Sequence, residues 1–176
     1  MNRNKKRAVV EKNAEGAKRA AISLLAYREH TGKELYTKLV DRGFSREDAA
    51  GAVAFVTEKD YLSERRYYVR FVEFCAKNKL YGRRRIGQEA RRKGFSEETI
   101  ALYTDEALLG IDFDDRCFEA LKKVHHTERD KQTAYLLRKG FSVSNIRYAF
   151  ERYKEEIGPL WENEEGDLET DLDDFK

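Results

Sequence analysis

Residues 82–94 of this 176-residue chain read GRRRIGQEARRKG. Arginine is always charged, and its planar fork matches a phosphate or a carboxylate. A helix carrying Arg83, Arg84, Arg85, Arg91 and Arg92 could therefore hold a polyanion or an acidic protein surface. At helical spacing Ile86 and Ala90 turn inward. Arg84, Gln88 and Arg91 form one outward stripe, and Arg83, Gly87 and Arg91 another. Arg85, Glu89 and Arg92 form a third, which Glu89 partly neutralises. Arg83 to Arg85 fall near the helix start, where the macrodipole disfavours cations. Helix stability does not account for that choice, which favours a binding role over a solvated face. Gly87, at a cost of about 1 kcal/mol relative to Ala, could permit close approach of a helix or a partner, which the sequence alone does not decide. The preceding helix, ERRYYVRFVEFCAKNKL, places Arg66, Arg70, Glu73 and Lys77 on one narrow polar stripe. The rest of its circumference is mostly apolar, so it is expected at the centre of the molecule. The candidate residues for binding a nucleic acid or an acidic surface are thus Arg66, Arg70, Lys77, Arg83, Arg84, Arg85, Arg91 and Arg92.

Catalytic patterns do not compete with this reading. No GxxxxGK[ST] segment is present, so no nucleotide hydrolysis is expected. His125 and His126 would point about 100° apart on a helix, a poor metal pair. Together with His30 they read as corner residues. Asp112, Asp114 and Asp115 could suggest a metal site, but they more simply cap and charge a helix start. No Ser/His/Asp or Cys/His ordering stands out. The expectation is a non-enzyme with no catalytic, cofactor-binding or metal-binding residues.

The elements that must position the arginines announce themselves through a repeated turn. DRGFS at 41–45, RKGFS at 92–96 and RKGFS at 138–142 share one pattern. Arg42, Lys93 and Lys139 suit a helix C-terminus. Gly43, Gly94 and Gly140 can take the left-handed conformation that ends it. Ser45, Ser96 and Ser142 can cap the next helix, and Phe44, Phe95 and Phe141 plug the corner into a core. Leu35 and Leu39, Ile86 and Ala90, and Gln132 and Leu136 precede the turns at inward spacing. Ala49, Ala52 and Val56, then Ile100, Tyr103 and Ala107, then Ile146, Ala149 and Tyr153 follow them. The glycines lie 51 and 46 residues apart, long enough for one more helix in each repeat. Those helices are expected over 17–28 (Ala21, Leu24, Leu25, Tyr27), 64–78 (Tyr67, Tyr68, Phe71, Phe74, Cys75) and 114–125 (Phe118, Leu121, Val124). As DNA-reading corners the turns are poor, because the helices following the first two are apolar or acidic outside their core positions.

The chain thus divides into a basic arm at 1–16, three-helix units at 17–62, 63–110 and 111–158, and an acidic tail at 159–176. Residues 162–174 hold eight acids and no base, so residues 1–161 carry nine more bases than acids. A basic body suits a polyanion or an acidic partner. The tail is expected to solubilise, with regulation the lesser alternative. No apolar stretch approaches a membrane span, and the N-terminal residues lack a secretory signal pattern. Cys75 and Cys117 are isolated thiols on inward faces, as in a reduced cytoplasmic protein. No heptad seam is present, and a monomer is expected.

The residues from YLSERRYYVRFVEFCAKNKLYGRRRIGQEARRKGF resemble the central block of the RecX family, regulators of the RecA recombinase. Tyr68-Val69-Arg70, Tyr81-Gly82, Arg85-Ile86 and Gln88-Glu89 keep the family's order. AISLLAYREHTGKELYTKLVDRGF is similar to its first unit. Arg83 stands where the family usually has proline, Ser63-Glu64 where it has an acid, and Ala90 where it has leucine. The third unit and the tail match least. The resemblance, over about residues 17–155, implies an all-α fold of three tandem three-helix units in an elongated, curved body. It also implies binding to the RecA–single-stranded DNA filament. Filament extension, ATP hydrolysis, strand exchange and stimulated repressor cleavage would then be restrained. A general nucleic-acid-binding module acting through phosphate contacts without the recombinase is the alternative, and a helical adaptor for an acidic protein a third.

Overall fold

A computed structural model describes residues 12–124 and 128–158. Among these residues the fold is all-α, with nine helices in three tandem sets of three. The first set is α1 (Ala14–Tyr27), α2 (Gly32–Asp41) and α3 (Arg46–Glu58). The second is α4 (Glu64–Lys77), α5 (Arg83–Lys93) and α6 (Glu97–Leu108). The third is α7 (Phe113–Leu121), α8 (Arg129–Lys139) and α9 (Val143–Glu156). The chain condenses into two compact units. One runs to Tyr67 and takes in Lys93–Phe95; the other comprises Tyr68–Arg92 and resumes at Ser96.

All three repeated turns form as the sequence dictates. Gly43, Gly94 and Gly140 have φ of 85°, 97° and 89°, the left-handed region where side chains are disfavoured. Ser45 accepts from the Asp48 amide at 3.0 Å, Ser96 from Thr99 at 3.0 Å and Ser142 from Asn145 at 3.2 Å. Phe44, Phe95 and Phe141 are buried. Thr31 likewise caps α2 through the Glu34 amide at 3.1 Å. Asp112 caps α7 through the amides of Asp114 and Asp115 at 2.9 and 3.1 Å.

In the first unit, α1 lies along α3 through small residues. Ala17, Ala21, Ala49 and Ala52 let the helices approach, and Leu35, Leu39, Phe44 and Val56 complete the core. His30 is buried at the α1–α2 corner with Nδ1 2.8 Å from the Arg28 carbonyl. Burial pushes its pKa below the ordinary histidine value. In the second unit, α7 packs on α9 around Cys117, Phe118, Leu121, Ile146, Ala149 and Phe150. Arg152 lies over the Phe118 ring at 4.2 Å and pairs with Asp115 at 3.1 Å. Asn145 donates to Asp114 at 2.8 Å. The acids at the start of α7 are thus occupied by structure.

Three expectations need correction. Tyr27 and Phe74, assigned to inward faces, are 88% and 49% exposed. Tyr27 is the last residue of its helix, three beyond Leu24, the last buried position of α1. Nor is α4 buried around most of its circumference. It buries Tyr68, Val72, Cys75 and Ala76 while Phe74 reaches solvent, with Lys79 Nζ 5.6 Å from its ring. Apolar composition shows what can be buried, and the neighbouring helices cover only one face. His125, His126, Thr127, most of the basic arm and the acidic tail lie outside the described residues.

Candidate binding surface on helix α5

Helix α5 starts against the end of α8. The Gly82 amide donates to the Lys139 carbonyl at 2.9 Å, and the Arg84 amide to the Gly140 carbonyl at 3.3 Å. The orphan donors of one helix start thereby satisfy the orphan acceptors of another helix end. Contact this close requires glycine. A Cβ on Gly82 would stand 2.2 Å from both the carbonyl carbon and oxygen of Gly140. Gly87, by contrast, faces open space apart from Arg91 Nη1 at 3.5 Å, so no helix packs closely on it. Arg83 opens α5, the first helical position, where a backbone amide has no intrahelical partner and where proline is ordinarily tolerated.

This junction also corrects the dipole argument. Arg84 does lie at the positive end of α5, but its Nη2 donates to the Leu137 carbonyl at 2.8 Å. Leu137 is in the last turn of α8, the negative end of that helix, where a cation is favoured. Tertiary structure therefore supplies the stabilising reason for Arg84 that α5 alone lacks.

The remaining candidates divide by their partners. Arg91 lies against Glu97 with contacts of 2.7 and 3.1 Å, a bidentate pair between exposed groups. Arg85 and Arg92 share Glu89, at 2.7 and 2.8 Å, and Glu89 is largely covered while Arg92 remains 76% exposed. Arg83 reaches Asp105 at 3.4 Å across open surface. On α4, Lys77 pairs with Glu73 at 3.1 Å, and Arg70 is exposed. Arg66 belongs to the first unit, where it meets Asp60 at 3.2 Å and Glu29 at 3.9 Å. The structure thus gathers Arg83, Arg84, Arg85, Arg91 and Arg92 on α5. It ties Arg66 into a corner of its own unit. Exposed pairs of this kind contribute at most about 1 kcal/mol each, so an anionic partner can replace the acids at small cost.

Sequence reasoning missed a second group of cations. Lys139 Nζ donates to the Lys79 carbonyl at 2.9 Å and lies 5.0 Å from the Tyr81 ring and 5.5 Å from the Tyr135 ring. Arg85 approaches the Tyr81 ring at 5.6 Å. Burial pushes the Lys139 pKa down; Tyr81 opposes this, while Lys123, Lys79 and Arg85 push it down further. Lys139 was recognisable only as a helix-ending cation. Lys79, Lys123 and Lys139 come from three separate corners, and no local spacing links them. Cys75 and Cys117 are buried. Burial, with a smaller contribution from Glu89, pushes the Cys75 thiol up to about 11, and burial raises Cys117 as well. Among the described residues no group of three His, Cys, Asp or Glu side chains could hold a metal ion, and no helix is long and apolar enough to cross a membrane.

Tandem three-helix units, one bearing a cationic helix, define a class by fold, the all-α helical repeat. Comparison with known proteins gives the family. Residues 17–55 match the first three-helix domain of RecX and residues 63–102 match the second. The chain is 33% identical over 138 residues to the regulatory protein RecX of Vibrio campbellii, covering 76% of this chain and 88% of that one. It is 35% identical over 141 residues to the regulatory protein RecX of Caldanaerobacter subterraneus, covering 77% and 70%. The crystal structure of RecX from Lactobacillus salivarius shares the fold with a TM-score of 0.65 at 19% identity, over 81% of this chain and 97% of that one. A second RecX crystal structure gives 0.67 at 20% identity, over 81% and 73%. The chain belongs to the RecX family of regulatory proteins.

Proposed function

We propose that this chain regulates the RecA recombinase by binding the filament that RecA forms on single-stranded DNA. Binding would restrain filament extension, ATP hydrolysis and strand exchange. Membership of the RecX family carries this reading, and the relatives it matches are named regulatory proteins rather than enzymes. The contact surface proposed is α5, through Arg83, Arg85, Arg91 and Arg92, with Arg70 and Lys77 on α4. Arg84 contributes charge while holding the α8 end. Arg66 lies in the other unit and contributes least. The protein acts as a cytoplasmic monomer, in units bounded near residues 62, 110 and 158, and its contact with DNA is through phosphate.

The observation supporting α5 is that Arg83, Arg91 and Arg92 are exposed and meet only surface carboxylates or the shared Glu89. Phosphates or acidic side chains of a filament could take the place of these partners. A sedimentation experiment tests the reading. The protein is mixed with preassembled RecA filaments on an oligonucleotide, and separately with the bare oligonucleotide, at equal salt. Tighter retention by the filament is expected. Equal or weaker retention would favour a general phosphate-binding module.

A further inference from the structure

Lys139 and Arg85 lie over the Tyr81 ring at 5.0 and 5.6 Å, Lys79, Lys123 and Arg85 act on Lys139 as like charges, and Arg84 stands at the same helix junction. Glu89 serves Arg85 and Arg92 together. The strongest electrostatic neighbours of Lys139 are Tyr81 and three cations, with no carboxylate among them. Like charges held this close repel, and any anion seated among them relieves the repulsion. The fold keeps the cluster because Lys139 completes the end of α4 through the Lys79 carbonyl.

We infer that the acidic segment 162–174 docks on the lysine cluster around Lys139 and competes there with external polyanions. The segment carries eight acids and no base, complementary to the cluster. It follows α9, which belongs to the same compact unit as the cluster. Reach is not limiting. Sixteen residues separate Gly158 from Asp174, which at about 3.4 Å per extended residue spans up to about 50 Å. A body of about 100 residues has a radius of gyration near 13 Å, so the whole surface of this unit is accessible. Tethering over so short a linker gives an effective concentration of about 1 mM. If the free segment bound with a Kd of about 0.1 mM, the cluster would be occupied about nine-tenths of the time, and an external polyanion would bind about tenfold more weakly. The inference does not depend on a recombinase.

Two measurements on the full chain test it. Zero-length carbodiimide cross-linking at low salt should join carboxylates of 162–174 to Lys79, Lys123 or Lys139, and high salt should abolish those links. Links confined to other lysines, or none from the segment, would overturn the inference. In the second measurement all eight acids are neutralised (Glu→Gln, Asp→Asn), and binding of a fluorescent oligothymidylate is measured at low salt. Affinity should rise about tenfold. In a K79Q/K123Q background the same neutralisation should raise it by roughly threefold or less, since losing two ion pairs weakens docking by about fivefold. Lys139 is left intact there because it supports the α4 corner. An unchanged affinity in the parent, or an undiminished gain in K79Q/K123Q, would overturn it.

Discussion

Replacing Gly82 with Ala should loosen the second unit although it adds one methyl group. Gly82 does not have positive φ, so the backbone conformation suits alanine and only contact opposes it. The new Cβ would stand 2.2 Å from the Gly140 carbonyl carbon and oxygen and 2.3 Å from the Phe141 nitrogen. Those atoms are backbone and cannot swing aside. The α5 start must withdraw, which breaks Gly82 N–H to Lys139, Arg84 N–H to Gly140 and Arg84 Nη2 to Leu137. At about 1 kcal/mol for each of these hydrogen bonds, the loss is about 3 kcal/mol. Lower unfolded-chain entropy returns about 0.4–1 kcal/mol, leaving a net loss of about 2 kcal/mol. For a chain of this length that corresponds to a fall in Tm of about 4–8 °C. Gly87→Ala is the internal control. Its site is open, and the substitution should stabilise by up to about 1 kcal/mol. Thermal unfolding followed by circular dichroism reads both. A G82A protein melting within 1–2 °C of the parent, the shift that about 0.5 kcal/mol would produce, would refute the helix-end junction.

Arg91→Glu with Arg92→Glu should leave Tm nearly unchanged, since exposed charge changes usually alter stability by under about 0.5 kcal/mol. The same pair of changes should abolish retention by RecA filaments. Arg84→Glu would be a poorer probe, because it also loses the Leu137 carbonyl contact. His30, whose folded pKa lies below its unfolded value, contributes stability that is complete above about pH 6.5 and lost as pH falls toward the folded pKa. Tm should therefore drop between pH 7.5 and 5.5, and His30→Gln should flatten that part of the profile. Cys75 and Cys117 are buried, with thiol pKa values pushed up. A thiol reagent at pH 8 should label the native chain slowly and the urea-unfolded chain rapidly at both positions.

The repeated turn made the fold legible. Glycine, phenylalanine and serine at fixed offsets specify a helix stop, a core plug and a helix cap, all within five residues, and short-range chemistry of that kind survives in any tertiary setting. The lengths between turns then required a third helix in each repeat. The surface was less legible. That Arg83 to Arg85 cluster at a helix start is plain in the sequence, but the α8 end that stabilises Arg84 lies 53 residues away. Gly82 and Gly87 look equivalent as letters, and only the approach of Gly140 separates them. Phe74 shows the limit of periodicity, since an apolar residue on α4 stays exposed where no neighbouring helix covers it. The lysine cluster depends on three corners converging, which no local pattern encodes.

The central claim is that this RecX-family chain acts on a recombinase filament rather than on DNA alone. The direct measurement is DNA-dependent ATP hydrolysis by the cognate RecA as this protein is titrated in. Inhibition should develop at ratios too low to coat the DNA and should be lost with R91E/R92E. Inhibition arising only once the DNA is saturated, equally for both proteins, would contradict the account.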